Sequence, residues 1–157
     1  MVLEYMQIQP GQGHAAGRKL LAKMYRAHTG NEIPEIAVSE SGKPYFADGN
    51  VYFSISHTKN HVFCALSDVP IGIDAEEADR NIDLRLAEKI LSPSEKAQYD
   101  VALDKPAALL TFWVLKEAKA KCTGEGLRGY PKHTDFSLSD PRVQVIDGCL
   151  VAVIESS

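Results

Sequence analysis

Between Val51 and Glu76 the chain reads as three strands in succession, and this run constrains the fold more than any other segment. Val51, Phe53 and Ile55 face one way, while Tyr52, Ser54 and Ser56 face the other. The polar loop Thr58-Lys59-Asn60 then leads into Val62–Leu66, so these two strands read as a hairpin. In the third strand, Ile71 to Glu76, the apolar residues Ile71, Ile73 and Ala75 alternate with Gly72, Asp74 and Glu76. Sheets with an apolar face need other elements to cover them.

Those elements flank the run on both sides. Val2–Ile8 alternates weakly, as a strand would. Ala16, Leu20, Leu21, Met24 and Ala27 recur at helical spacing and predict a helix over 14–28, with Gly30 as its C-terminal cap. Ile33–Val38 reads as a strand and Ser41-Gly42-Lys43-Pro44 as a turn. Helices are expected at 84–91 and 93–100, the second opened by the capping box Ser92-Pro93-Ser94-Glu95. A long helix over 106–122 stops at Gly124, and short strands at 135–138, 142–146 and 149–155 finish the chain. Residues 2–66 therefore run strand, helix, three strands, and residues 71–155 run strand, helices, three strands. The residues themselves do not repeat. The pattern suits an α+β pseudo-dimer with a ligand cleft between its halves, or equally a single α+β layer.

At ~150 residues per domain, 157 residues make about one domain. A hydrophobic content of 45% makes the chain globular. Lys and Arg number 17 against 21 Asp and Glu, a net charge of −4, which argues against a general nucleic-acid or anionic-membrane binder. No apolar run approaches the ~18 residues of a membrane helix. Met1-Val2-Leu3-Glu4-Tyr5 has neither the basic segment nor the apolar stretch of a signal peptide. Cys64, Cys122 and Cys149 are odd in number and far apart, which suits reduced thiols in the cytoplasm better than a disulfide frame or a zinc site.

Three clusters carry chemistry. Asp74 and Glu76 share one face of a strand, and adjacent carboxylates repel unless a cation separates them. Mg²⁺ would do so, being an oxygen-seeking ion held by carboxylates and phosphate oxygens; a solvated acidic strand end is the plain alternative. Gly72 is either a weak spot in that strand or a point of close approach by a ligand. In Trp113-Val114-Leu115-Lys116-Glu117-Ala118-Lys119-Ala120-Lys121, winding at ~100° per residue puts Glu117 and Lys121 on the arc of Leu110, Trp113 and Val114. Lys116 and Lys119 fall toward a solvent-type arc. An i,i+4 pair on a surface is worth only ~0.2–0.5 kcal/mol, and that spacing alone does not account for the apolar neighbours.

The third cluster, Ser56-His57-Thr58, lies at a strand end. Adjacent strand residues point to opposite faces, and no Gly-x-Ser-x-Gly elbow is present, so a Ser–His nucleophile pair is not supported. His57 could donate to a phosphate; a backbone-satisfied hairpin-end histidine is the alternative. Lys43 in its turn and Arg18 on the first helix are further candidate phosphate ligands, or ordinary surface cations. Gly124-Glu125-Gly126 follows a helix instead of preceding one, so it is no Walker loop.

Taken in order, Gly42-Lys43-Pro44, Ser56-His57-Thr58, Ile71-Gly72-Ile73-Asp74-Ala75-Glu76, and the 113–121 segment with Gly124-Glu125-Gly126-Leu127 resemble the 4′-phosphopantetheinyl transferase family. The likeness covers about residues 14–154 and is closer to the surfactin-synthetase-activating type than to the short holo-acyl-carrier-protein synthases. The resemblance implies a pseudo-dimer of two similar α/β halves with the site in the cleft between them. Residues 1–69 would contact the coenzyme A nucleotide, and residues 70–157 would carry the metal and catalytic carboxylates, together forming one compact unit.

It implies a Mg²⁺-dependent transferase that moves the 4′-phosphopantetheine arm of coenzyme A onto a serine of an apo acyl, peptidyl or aryl carrier protein, releasing adenosine 3′,5′-bisphosphate. Asp74, Glu76 and Glu117 would hold Mg²⁺. Lys121 and His57 would contact the phosphates, Lys43 and Arg18 the 3′-phosphate end, and Pro44 and Ser56 the nucleotide pocket. Glu117 and Lys121 would be the catalytic pair. The enzyme would be a cytoplasmic monomer working in fatty acid, polyketide or nonribosomal peptide biosynthesis, with no nucleic-acid or membrane partner. The chain departs from the family in being short for the two-domain type, in Ala75 where Ile or Val is usual, and in its net acidity. Arg80, Arg85, Lys89 and Lys96 would be the basic patch that receives an acidic carrier, or else solvated helix faces. The competing functions are a non-catalytic coenzyme A or carrier-protein binding module and a Mg²⁺-dependent phosphohydrolase acting on nucleotides.

Overall fold

The computed structural model describes residues 1–125 and 133–157. The elements are β1 (Val2–Gln7), α1 (Gly13–Thr29), β2 (Ile36–Val38), β3 (Pro44–Phe46), β4 (Tyr52–His57), β5 (His61–Ser67), β6 (Ile71–Glu77), α2 (Leu86–Ile90), α3 (Pro93–Asp100), α4 (Lys105–Thr123), β7 (Val143–Ile146) and β8 (Cys149–Glu155). One three-stranded antiparallel sheet has the order β1-β5-β4, a second has β6-β8-β7, and β2 pairs with β3. The two larger sheets share one plan: the first strand and the penultimate strand of each part flank the last.

The core follows from the two-residue period of the strands. In β5, Val62, Cys64 and Leu66 pack against Leu20, Leu21, Met24 and Tyr25 of α1. Phe63 and Ala65 turn the other way, onto Ile71, Ile73 and Ala75 of β6 and Cys149, Val151 and Val153 of β8. Ala152 and Ile154 leave the opposite face of the second sheet and meet Val114, Leu115, Ala118 and Cys122 of α4. The layers run helix, sheet, sheet, helix. Each fully buried Leu, Met or Phe in them contributes about 1.5–3 kcal/mol.

The strongest local signals are the ones the fold uses. Gly30 and Gly124 close α1 and α4 with φ of 76° in each case, a left-handed conformation that glycine adopts without a Cβ clash. Ser92 and Glu95 form the capping box of α3, and Asp104 caps α4 by accepting from the Ala107 amide.

Elsewhere the expectations are corrected. The strand expected from Ile33 begins only at Ile36, because Pro34 has no amide hydrogen for a ladder. Pro44 belongs to β3, not to a turn. The helix expected over 84–91 shortens to Leu86–Ile90. The strand expected at 135–138 does not form: Glu95 accepts from the Phe136 amide, while Gln98 accepts from the Leu138 amide and donates to the Phe136 carbonyl. Side chains of α3 thus take the place of a strand partner. Among the described residues, no helix is long and apolar enough to cross a membrane, and Cys64, Cys122 and Cys149 are free and buried.

Candidate active site

Gly72 sets the position of α4. A Cβ built there would stand 1.9 Å from the Ala118 carbonyl oxygen and 2.5 Å from the Cys122 amide nitrogen. The glycine therefore admits a helix backbone, not a ligand. With α4 this close to β6, Asp74 lies beside Lys121: the ammonium is 3.2 Å from Asp74 Oδ1 and donates to the Ile73 carbonyl at 2.9 Å.

Among the described residues, β6 pairs with β8 along one edge only. Side chains satisfy the other edge in turn. Lys43 Nζ donates to the Ile71 carbonyl at 3.3 Å, Ser54 Oγ accepts from the Ile73 amide at 3.1 Å, and Ser56 Oγ accepts from the Ala75 amide at 3.1 Å. The two serines belong to β4 and share the face of Phe63 and Ala65, between the sheets. On this side of β4, Ser54 and Ser56 are thus buried while Tyr52 stays exposed. Buried amides without such acceptors cost about 1–3 kcal/mol each.

Glu117 is one turn before Lys121 on α4 and half-buried. Burial, then the neighbouring charges of Asp74 and Glu76, push its carboxyl up to about 7, against the pull of Lys121 and Arg80. Asp74 is only 6% exposed, and its carboxyl rises to about 6, chiefly through burial, with Lys121 opposing and Glu76 adding. Arg80 Nη1 is 2.8 Å from Glu76 Oε1. Three carboxylates thus influence one another at one place. Asp74 Oδ2 is buried with no hydrogen-bond partner among the described residues. An orphaned carboxylate oxygen beside two further carboxylates is the donor set a hard divalent cation takes.

A depression opens beside this group, lined by Gly42, Lys43, Pro44, Ile55, Glu117 and Lys121. Lys43 is half-buried, and burial, with Lys121 nearby, lowers its pKa. A second depression shares Gly42, Pro44 and Ile55 and adds His14, Arg18 and His57. The His57 ring packs on Gly13, where a Cβ would fall 2.4 Å from the ring carbon Cγ.

The sequence-derived candidates therefore divide in two. Asp74, Ser56, Glu117 and Lys121 gather around β6, with Glu76 and its partner Arg80 next to them. Arg18, His57 and Pro44 line the adjoining depression. Ser56 lines neither depression and points at Asp74 Oδ1, 3.4 Å away. Sequence reasoning passed over Ser54 and His14, and placed Arg80 in a carrier-receiving patch, whereas it pairs with Glu76 at the site. The i,i+4 spacing of His14 and Arg18 on α1, and of Glu76 and Arg80 past β6, was the available signal.

Lys116 is not on a solvent face. It is fully buried, 2.7 Å from Glu95, which also accepts from Thr134 Oγ1 and the Phe136 amide. Three of the four basic residues are held in ion pairs: Arg80 with Glu76, Arg85 with Asp83, and Lys96 with Glu88 and Asp100. Gly126 and Leu127 lie outside the described residues.

Residues 70–150 match the family model of the 4′-phosphopantetheinyl transferase superfamily. The 4′-phosphopantetheinyl transferase gsp of Aneurinibacillus migulanus is 34% identical over 91 residues, covering 57% of this chain and 38% of that protein. Sfp of Bacillus subtilis strain 168, named a 4′-phosphopantetheinyl transferase, is 32% identical over 119 residues, covering 73% and 51%. The similarly named AcpT of Escherichia coli K12 is 34% identical over 122 residues, covering 74% and 62%. The chain spans about half the length of these relatives.

Proposed function

Because this chain belongs to the 4′-phosphopantetheinyl transferase superfamily, we propose that it transfers the 4′-phosphopantetheine arm of coenzyme A to a serine hydroxyl of an apo carrier protein. The serine oxygen forms a bond to the phosphorus bearing the pantetheine arm. The bond from that phosphorus to the bridging oxygen breaks, and adenosine 3′,5′-bisphosphate leaves. The observation that carries this reading is the meeting of Asp74, Glu76 and Glu117 beside Lys121, with Asp74 Oδ2 unpartnered among the described residues.

These residues fit Mg²⁺, which Asp74, Glu76 and Glu117 would hold. When bound, the ion offsets pyrophosphate charge, the main requirement of phosphoryl transfer. Lys121, already fixed to Asp74 and the Ile73 carbonyl, offers a cation to the departing phosphate. Glu117 takes the serine proton, directly or through water, from its place beside the reacting phosphate. Lys43 and Arg18 bind the 3′-phosphate end, His57 a phosphate oxygen, and Pro44 packs on the nucleotide. Ser56 holds Asp74 and β6 in place from between the sheets, through Asp74 Oδ1 and the Ala75 amide.

In this reading the depression is the cleft of a pseudo-dimer. Residues 1–69 supply nucleotide contacts and residues 70–157 the carboxylates. All the named groups come from one chain, which supports a monomer. Free thiols and a coenzyme A substrate suit the cytoplasm.

Intact-mass analysis of a panel of apo carrier proteins, incubated with coenzyme A, Mg²⁺ and the protein, tests the proposal. One added phosphopantetheine, dependent on Mg²⁺ and absent with Asp74→Ala, is the expected result. Coenzyme A binding without transfer to any carrier would favour a binding module. Product release from coenzyme A without a carrier would favour a phosphohydrolase.

A further inference from the structure

β6 continues past Glu76 into a second polar cluster that phosphopantetheine transfer does not use. We propose that His61 Nδ1, a Glu77 oxygen and Cys149 Sγ form a binding site for a zinc-type divalent cation, with Asp147 orienting the imidazole.

The geometry is that of one face of a tetrahedron. Cys149 Sγ is 3.4 Å from His61 Nδ1 and 3.5 Å from Glu77 Oε2, and His61 Nδ1 is 3.2 Å from Glu77 Oε1. One ligand atom from each residue lies within 4.8 Å of the others. Metal–sulfur bonds of ~2.3 Å and metal–nitrogen or metal–oxygen bonds of ~2.0–2.2 Å, at tetrahedral angles, separate ligand atoms by about 3.3–3.6 Å. His61 Nδ1 and Cys149 Sγ already stand at that spacing, 3.4 Å apart, and a small rotation of the Glu77 carboxylate, whose two oxygens face the two groups separately, would bring one oxygen to both.

The surroundings are equally specific. His61 Nε2 is 2.8 Å from Asp147 Oδ2, giving a carboxylate–imidazole arrangement that fixes ring orientation and leaves Nδ1 aimed at the site. Gln7 Nε2 donates to the same Asp147 oxygen, and Thr58 Oγ1 donates to Glu77 Oε1. Cys149 is fully buried and His61 nearly so, while a surface depression lined by Gln7, Asn60 and His61 offers entry. A thiolate and an imidazole select zinc-like ions over Mg²⁺, which prefers oxygen alone. Binding displaces the thiol proton to solvent and leaves a fourth position for water. The ligands come from β5 in the first sheet and from β6 and β8 in the second, so the ion would cross-link the two.

Chelator-treated protein titrated with Co²⁺ alone, followed by absorbance, tests this site. One equivalent should produce a thiolate-to-cobalt charge-transfer band that Zn²⁺ abolishes by displacement. Cys149→Ser should remove the band. Asp147→Asn, in an exposed turn, should keep it with affinity about 10- to 100-fold weaker. Asp74→Asn should leave it unchanged, since Co²⁺ on carboxylates alone gives no such band. Absence of the band in folded wild-type protein overturns the proposal and leaves a hydrogen-bonded clamp. So does its survival in Cys149→Ser; should that variant not fold, the wild-type and Asp147→Asn titrations decide. The readout needs neither coenzyme A nor a carrier protein, so its failure leaves the transfer proposal untouched.

Discussion

The backbone of Ala118 occupies the space where Gly72 would carry a side chain: a Cβ on Gly72 would fall 1.9 Å from the Ala118 carbonyl oxygen. The contact is strand against helix backbone, so no rotamer change relieves it. Gly72→Ala should therefore cost about 3 kcal/mol, the upper end for overpacking a core. It should also push Glu117 and Lys121 away from Asp74 and reduce transfer more than coenzyme A binding. Chemical denaturation and initial rates with saturating coenzyme A measure the two effects; an unchanged unfolding midpoint would refute the packing argument.

Lys116 and Glu95 form a fully buried ion pair. Removing one partner strands the other charge in the core, which costs about 3–5 kcal/mol. Lys116→Met should therefore lower stability by that amount, and adding Glu95→Gln should restore part of it, because the amide keeps an oxygen acceptor without the stranded charge. A denaturation cycle over the single and double variants checks the coupling; strictly additive losses would count against it.

Asp74 and Glu117 titrate at about 6 and about 7, above their ordinary values of 3.8 and 4.5. For an acid whose pKa is raised on folding, the native state holds its proton longer than the unfolded chain. Stability then falls as pH rises from the unfolded value through the folded one, and the penalty is complete above it. The metal-free protein should lose stability between about pH 4 and pH 7 on this account. A divalent cation relieves the repulsion only once the carboxylates are ionised. Mg²⁺ should thus raise Tm more at pH 8 than at pH 5, and Asp74→Asn should flatten the difference. Equal Mg²⁺ shifts at both pH values in thermal scans would contradict this.

The proposed function puts Lys43 and Arg18 at the 3′-phosphate end of the nucleotide. Each charge-assisted contact is worth about 1.5–3 kcal/mol, or roughly 10- to 100-fold. Lys43→Ala and Arg18→Ala should raise KM for coenzyme A by that factor while changing KM for 3′-dephospho-coenzyme A little. Comparable losses on both substrates would move these cations elsewhere in the site.

Local chemistry made much of this legible in the sequence. A capping box, a glycine after a helical run and a two-residue apolar period each depend on neighbours within a few positions. That is why α1, α3, α4, the β4–β5 hairpin, β6 and β8 were readable, as was the sharing of one α4 arc by Glu117 and Lys121. The α4 motif and the Asp74–Glu76 pair also carried the family resemblance.

The rest depended on what packs against each element. Lys116 looked solvent-facing because helical winding says nothing about α3 and residues 134–138 closing over it. The strand expected at 135–138 was lost to side chains forty residues earlier, and what covers the Ser54–Ser56 face was decided only when β6 lay across it. His61, Glu77, Asp147 and Cys149 are separated by up to 88 positions and carry no motif. The sequence by itself determined which residue types could bear charge and metal chemistry, and which elements would carry them. Only the tertiary structure decided which charges are desolvated and paired, because burial is a property of the space between elements and not of the order along the chain.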